Sequence, residues 1–127
     1  MAHVCINRTA AIIRPKQPFL DWLNTLPNPL KDLTLESIRQ EAIVFLMPVY
    51  DTNEEVLEIV YSDWDLHFEE QLEGWWKREN EWPQNRSLEM FKAWFDVEIC
   101  SEVVNMTEGP IEDDEVEPEE NRNGYET

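Results

Sequence analysis

The sequence predicts an α+β domain in which a small three-stranded sheet is covered by about four helices. Three apolar segments have the composition of strands: Arg8–Arg14, Ala42–Tyr50 and Val97–Met106. Between the second and the third, apolar side chains recur every four residues, at Val56, Val60, Trp64, Phe68 and Leu72. Strand and helix patterns therefore alternate along a chain of 127 residues, which is the size of one ordinary domain.

The first predicted strand, Arg8–Arg14, is a short apolar run bounded by charged residues. Pro15 and Pro18 follow it, and Pro18 suits the first turn of a helix because proline has no amide hydrogen to leave unpaired there. Apolar residues at helical spacing continue this predicted helix to about Leu26. The proline pair that begins at Pro27 then ends it.

The second predicted strand, Ala42–Tyr50, is the most apolar stretch of the chain. It shows no polar alternation, which is typical of a strand covered on both faces, and we therefore expect it to be the central strand. Pro48 cannot donate to a neighbouring strand, so it should lie near the end of this strand or at a bulge. A capping pattern that starts at Thr34 predicts a short helix just before it. The sequence does not otherwise determine the strand order.

The strongest periodic signal predicts one long amphipathic helix from about Asn53 to Leu72. Its polar interruption at Ser62-Asp63 is where the helix could split into two. Ser87 is the expected N-cap of a last helix. Val97–Met106 partly alternates, which predicts an edge strand with one face towards solvent.

Acidic residues are concentrated at the C-terminal end of the chain. Residues 107–127 hold 9 of the 28 acids, with Arg122 as the single base and three apolar side chains. Such a segment buries too little apolar surface to offset the entropy lost on ordering. The sequence therefore predicts a single folded domain over residues 1–106 and a disordered acidic tail over residues 107–127.

The composition excludes several function classes. The net charge of −18 argues against direct binding to nucleic acid or to an anionic membrane surface, since both require a basic footprint. The longest apolar run has nine residues, short of the roughly 20 that a membrane span needs. With only three glycines, no phosphate-binding loop of the dinucleotide or P-loop type can be written. The first residues lack the pattern of a secretory signal, so we expect a cytoplasmic protein.

Metal and catalytic chemistry has few candidate residues. Asp63, His67 and Glu70 could share one face of a helix, at a spacing that could hold a divalent metal. In so acidic a segment a solvated face is the favoured interpretation, and the alternative is a metal- or carboxylate-dependent hydrolase centred on His67. Cys5 and Cys100 are expected to be reduced thiols. We predict no metal and no cofactor.

Six tryptophans form the second group of candidates. Trp22, Trp64 and Trp94 lie on apolar helix faces and are expected in the core. The candidate partner-binding residues form an aromatic and basic cluster in a less periodic stretch: Trp75, Trp76, Arg78 and Trp82. Alternatively, these rings close one end of the core.

The leading hypothesis is a small acidic cytoplasmic protein, without catalytic activity, that works by binding another protein. A basic protein and a second copy of the chain, giving a homodimer, are the candidate partners. Besides the hydrolase, the alternative is an inhibitor that mimics a nucleic acid, because acids one helical turn apart resemble a phosphate backbone. The acidic stripe proposed for this role comprises Asp51, Glu55, Glu58, Asp65, Glu69 and Glu73.

Overall fold

The computed structural model describes residues 4–27 and 32–114, and it confirms the predicted fold class. A three-stranded antiparallel sheet is combined with helices in an α+β arrangement. In chain order the elements are β1 (Val4–Cys5), β2 (Thr9–Pro15), α1 (Gln17–Leu23), α2 (Leu35–Arg39), β3 (Ile43–Met47), α3 (Asn53–Ser62), α4 (Trp64–Trp75), a 3₁₀ turn (Glu79–Glu81), α5 (Leu88–Trp94), β4 (Phe95–Cys100) and β5 (Val104–Asn105).

The strand order of the sheet is β3-β2-β4, so the prediction that Ala42–Tyr50 supplies the central strand is wrong. The central strand is β2, in which Thr9 to Ile13 pair with β3 and Ala10 to Pro15 pair with β4. Although β3 is apolar throughout, its side chains alternate between half-buried and exposed. Apolar composition cannot distinguish such a strand from a central one, because only the neighbours decide which face is covered. The predicted edge position of the last strand is confirmed for β4.

The sheet has one helix-covered face. Ala11 and Ile13 of β2 and Phe95 of β4 are buried in the hydrophobic core with side chains of the helices, while Phe45 of β3 packs against it. Since strand side chains alternate between the two faces, the intervening residues point away from that core. We call this second surface the open face, which comprises Ala10, Ile12, Arg14, Val44, Leu46, Asp96, Glu98 and Cys100.

The predicted long helix is split at Asp63 into α3 and α4, the alternative that the interruption at Ser62-Asp63 indicated. A capping box begins α3: the Thr52 hydroxyl accepts from the backbone N–H of Glu55, and the Glu55 carboxylate accepts from that of Thr52. Since α4 starts a new helix at Trp64, the acids of the predicted stripe do not lie along one straight helix.

The core is largely aromatic. Phe68 of α4 contacts Phe95 of β4 edge-on with ring centroids 5.2 Å apart, and Phe91 of α5 lies 5.1 Å from Phe95. The predicted core tryptophans Trp22, Trp64 and Trp94 are half-buried and pack against this cluster. Within the two described ranges, no helix combines the length and apolar character needed to cross a membrane.

After β5 the chain turns sharply. The Asn105 side chain accepts from the backbone N–H of Thr107 and donates to the carbonyl of Gly109, whose φ of 100° is one that glycine adopts without strain. This turn brings Pro110 and Ile111 beside Leu46, where they line a shared cavity. Most of the predicted disordered tail, residues 115–127, lies outside the described residues.

Candidate functional site

The exposed apolar side chains of β3 are the most conspicuous feature of the open face. Val44 is 54% exposed and lies opposite Ile12 of β2, and Leu46 is 46% exposed and lies opposite Ala10. Directly opposed side chains in an antiparallel pair touch, so these four residues form one continuous apolar strip. Val49 and Tyr50, just beyond the strand, are also exposed. Contiguous exposed apolar surface is typical of protein interaction sites.

The opposite end of the open face is charged and its charges are paired. The Arg14 guanidinium lies 2.6 Å from the Glu98 carboxylate. Arg39 lies 2.8 Å from Asp96 and also donates to the carbonyl of Pro15. Because these groups satisfy one another, the open face divides into a region of paired charges and an apolar strip in which Val44 and Leu46 are about half exposed and Ala10 is buried.

β3 is also an edge strand, and its outer backbone groups are available. It pairs with β2 on one side, and in the described part of the chain no other backbone or side-chain group bonds to Ile43–Met47. Protein edges are usually protected by a charged side chain, a proline or a bulge. β3 has no charged residue, and Pro48 comes only after its last residue. We call this row of outer backbone groups the β3 edge.

His67 of α4 lies beneath β3 rather than at the surface. It is 9% exposed, and its ring meets that of Phe45 edge-on with centroids 4.6 Å apart. Burial lowers the pKa of His67 below its ordinary value of 6.5, while the nearby carboxylates of Asp63, Glu70 and Asp65 act in the opposite direction. The imidazole is therefore held neutral at pH 7. Its Nδ1 has no hydrogen-bond partner among the described residues.

The structure thus brings Asp63 and Glu70 close enough to His67 to influence its charge, as their spacing predicted, but it turns the ring into the protein. In residues 4–27 and 32–114, no group of three or more histidines, cysteines, aspartates or glutamates is arranged to hold a metal ion. A buried neutral imidazole packed on Phe45 is the arrangement of a core side chain.

Gln71, one turn further along α4, is also a buried polar group. It is 1% exposed, and its Nε2 donor has no partner among the described residues. Gln71 borders a cavity of about 420 Å³ that Ser37 of α2, Ile43 of β3 and Trp75 of α4 also line. Among the described residues of this lining, the charged group is the carboxylate of Glu41, two residues before β3. The cavity therefore combines an acid, an indole and an unpaired amide donor next to an edge strand.

The tryptophan cluster is built into the core more deeply than its composition suggested. Trp82 is buried, and its indole N–H donates to the carbonyl of Trp76 over 2.6 Å. The Trp76 indole donates to Glu81 over 2.7 Å, while the exposed Arg78 lies 5.6 Å from the Trp76 ring. These contacts close one end of the core. A partner-binding role for Trp75, Trp76 and Arg78 stays a prediction, and for Trp82 it would require the ring to leave its site.

The surface around β3 is strongly acidic. No lysine or arginine occurs in the sequence between Glu41 and Trp76. All six acids of the predicted stripe are exposed, and Arg86 from another part of the chain reaches Glu69 at 3.3 Å. Glu41 and Asp51 flank β3 at its two ends. Arg8 is a base beside Leu46 on the open face, whereas Asp63, Asp65 and Glu70 lie near His67 beneath the strand. Negative charge therefore predominates on the α4 side of β3.

Sequence reasoning missed this surface because nine consecutive apolar residues indicated a strand buried on both sides. The signal that could have found it is Pro48 with the adjacent Val49 and Tyr50, since proline is confined to edge strands and strand ends. Comparisons of the chain with known protein families, with curated proteins and with solved structures find no match.

Proposed function

We propose that this chain is a small, non-catalytic protein that works by binding another protein through the apolar strip of the open face and the adjoining β3 edge. The observation that carries the proposal is that Val44 and Leu46 are about half exposed on a sheet whose other face is packed against the core. Fully burying a valine or leucine stabilises a complex by about 1.5–3 kcal/mol, and roughly half of each side chain is still available to a partner. An interface centred on these residues would exclude water from both.

The fold supports this proposal through the contrast between the two faces. The face towards the helices is filled by the aromatic core. On the open face, Ile6, Pro110 and Ile111 of the same chain lie beside Leu46, yet Val44 and Leu46 keep about half of their surface exposed, which a partner protein would cover.

The test uses two substitutions of the same kind at two exposed leucines. Leu46→Lys places a charge in the apolar strip, and Leu66→Lys places the same charge on α4, where Leu66 is 61% exposed and outside the strip. Tagged wild-type and variant chains are expressed in the native host, and the recovered protein is identified, purified and titrated against each of them.

We expect wild-type protein and the Leu66→Lys variant to bind the identified partner equally, and the Leu46→Lys variant to bind it at least about tenfold more weakly, which is the effect of losing about 1.4 kcal/mol. Equal binding by all three proteins would place the interface elsewhere, with the Trp75–Trp82 cluster as the next surface to test.

A further inference from the structure

We propose that the partner presents an extended basic segment that adds to the β3 edge as a fourth strand of the sheet. This inference rests on the proposed function and specifies the class of partner. Three features of β3 support this inference. Within the part of the chain that the structure describes, the strand has an unpaired edge, its side chains on the open face are apolar, and acidic residues lie near it.

Among the described residues, the backbone of β3 is hydrogen-bonded on one side only. Half of the N–H and C=O groups of β3 bond to β2, and the other half point outward without partners among the described residues. A partner segment in extended conformation supplies the missing donors and acceptors, as in other complexes formed by strand addition. No residue of Ile43–Met47 is charged or proline, so nothing in the strand itself opposes such pairing.

The side chains of the added segment must alternate between the two sides of the sheet. On the open side they meet Val44 and Leu46, and apolar residues fit there. On the other side they lie towards α4, where Phe45 contacts His67. Asp63 and Glu70 flank His67 at helical spacing, so basic residues fit on this side. The expected segment therefore alternates apolar and basic residues.

Charge distinguishes a basic partner from a second copy of the chain. A second copy carries the same net charge of −18, and its own acids would meet those around β3. A segment with lysine or arginine at alternate positions removes this repulsion and gains attraction instead. Charge complementarity therefore favours a cationic partner over self-association.

The cavity at the start of β3 provides an anchoring point for one of the basic side chains. Glu41 offers a carboxylate and Trp75 an indole ring, and both attract a cation. The Nε2 of Gln71, at 1% exposure, is a donor without an acceptor beside this cavity. A carbonyl oxygen of the bound segment would supply that acceptor after a small movement of the Gln71 amide.

The experiment titrates the full chain with fluorescent seven-residue peptides and follows their anisotropy. The probe alternates valine and lysine, beginning and ending with valine. One control peptide replaces every valine with glycine and keeps the charge, and a second replaces every lysine with glutamate and keeps the apolar residues. We expect the valine–lysine peptide to bind at least about tenfold more tightly than either control. Its affinity should fall as the salt concentration rises, because exposed charges are screened.

Variants of the chain locate the bound peptide. Leu46→Lys should weaken binding of the valine–lysine peptide at least about tenfold, while the same charge at the exposed Ala93 of α5, in Ala93→Lys, should leave it unchanged. Glu41→Gln should weaken it about two- to fivefold, and its matched control is Glu89→Gln on α5. Hydrogen exchange gives an independent readout, since the outer amides of Ile43–Met47 should exchange more slowly in the complex.

The outcomes separate this inference from the proposed function. If the glycine–lysine peptide binds as well as the probe, or if Leu46→Lys has no effect on probe binding, the attraction is general and strand addition is wrong. If no peptide binds while the natural partner still requires Leu46, the partner class is wrong and the proposed function stands. If the chain alone sediments as a dimer that Leu46→Lys dissociates, the occupant is a second copy and this inference is overturned.

Discussion

The two faces of the three-stranded sheet are built from the same strands and differ in how much of their surface is buried. In β2, Ile13 is fully buried under the helices, while the neighbouring Ile12 points to the open face and is only partly covered. In β3, Phe45 packs on the core, whereas Val44 and Leu46 on either side of it are about half exposed. The difference teaches that the covering helices, and not strand composition, determine which apolar residues stabilise the fold.

Antiparallel sheets commonly have one packed and one solvated face, but the solvated face is then usually polar. Here its polar end, with Arg14 and Glu98, follows that rule and the apolar strip does not. This asymmetry separates residues that stabilise the fold from residues that we propose to contact a partner.

The largest effect is expected at the centre of the covered side. Phe68→Ala removes a fully buried ring that contacts Phe91, Trp94 and Phe95. We expect the free energy of unfolding to fall by about 3–5 kcal/mol, measured by urea denaturation. Trp64→Ala is the comparison, because Trp64 is half-buried at the edge of the same core and should cost less. An equal loss for both variants would mean that the core extends further than described.

A matched pair on one strand tests the two faces directly. Ile13→Ala and Ile12→Ala delete the same atoms from neighbouring positions of β2. We expect Ile13→Ala to destabilise the protein by about 2–5 kcal/mol, and Ile12→Ala to cost less than half of that. Equal costs in urea denaturation would contradict an uncovered open face and would indicate that a second copy or another part of the chain covers it.

The third effect is a pH dependence at the boundary between the faces, where His67 lies beneath β3. Because burial lowers the pKa of His67 below 6.5, the unfolded chain binds this proton more readily than the folded one. The contribution of neutral His67 to the free energy of unfolding should therefore be fully present above pH 6.5 and be lost as the pH falls below it. His67→Leu lacks the titrating group, so its decrease between about pH 7 and about pH 5.5 should be shallower. Parallel curves for the two proteins would show that His67 is as accessible as in the unfolded chain.

The sequence predicted the elements better than their arrangement. Helical spacing located α4 and α5, and proline located the start of α1, because these signals are local. Ala42–Tyr50 was wrongly predicted to be the central strand. The local sequence of a strand does not show whether one or two neighbouring strands pair with it.

The candidate site was missed for the same reason. Its exposed residues Val44 and Leu46 have the composition of core residues, and only the strand order reveals them. His67 and its acidic neighbours were found from their spacing, which the helix preserves. The spacing could not show that the ring turns inward, because that depends on Phe45, more than twenty residues away.

The fourth prediction concerns the open side itself. Leu46→Lys should lower the free energy of unfolding by no more than about 1.5 kcal/mol, since about half of the side chain is already exposed and it lies outside the core cluster. Thermal and urea denaturation of this variant, compared with Leu66→Lys, give the measurement. A loss of several kcal/mol would show that Leu46 supports the fold and would remove the strongest argument for a binding surface.

The smallest expected effect lies at the two thiols. Cys5 is paired with Val104 between β1 and β5, and Cys100 is paired with Ala10 between β2 and β4. The two cysteines therefore belong to different strand pairs, separated by a bend at Ser101, and both are free thiols in the structure. A disulfide would require their Cα atoms to lie within about 7 Å. We therefore expect both cysteines to react with a thiol reagent in the folded protein, Cys5 faster because it is more exposed, and the melting temperature to be the same with and without reductant. An intramolecular bridge found by mass spectrometry after mild oxidation would contradict this expectation and would show that the β1–β5 pair can bring Cys5 to Cys100.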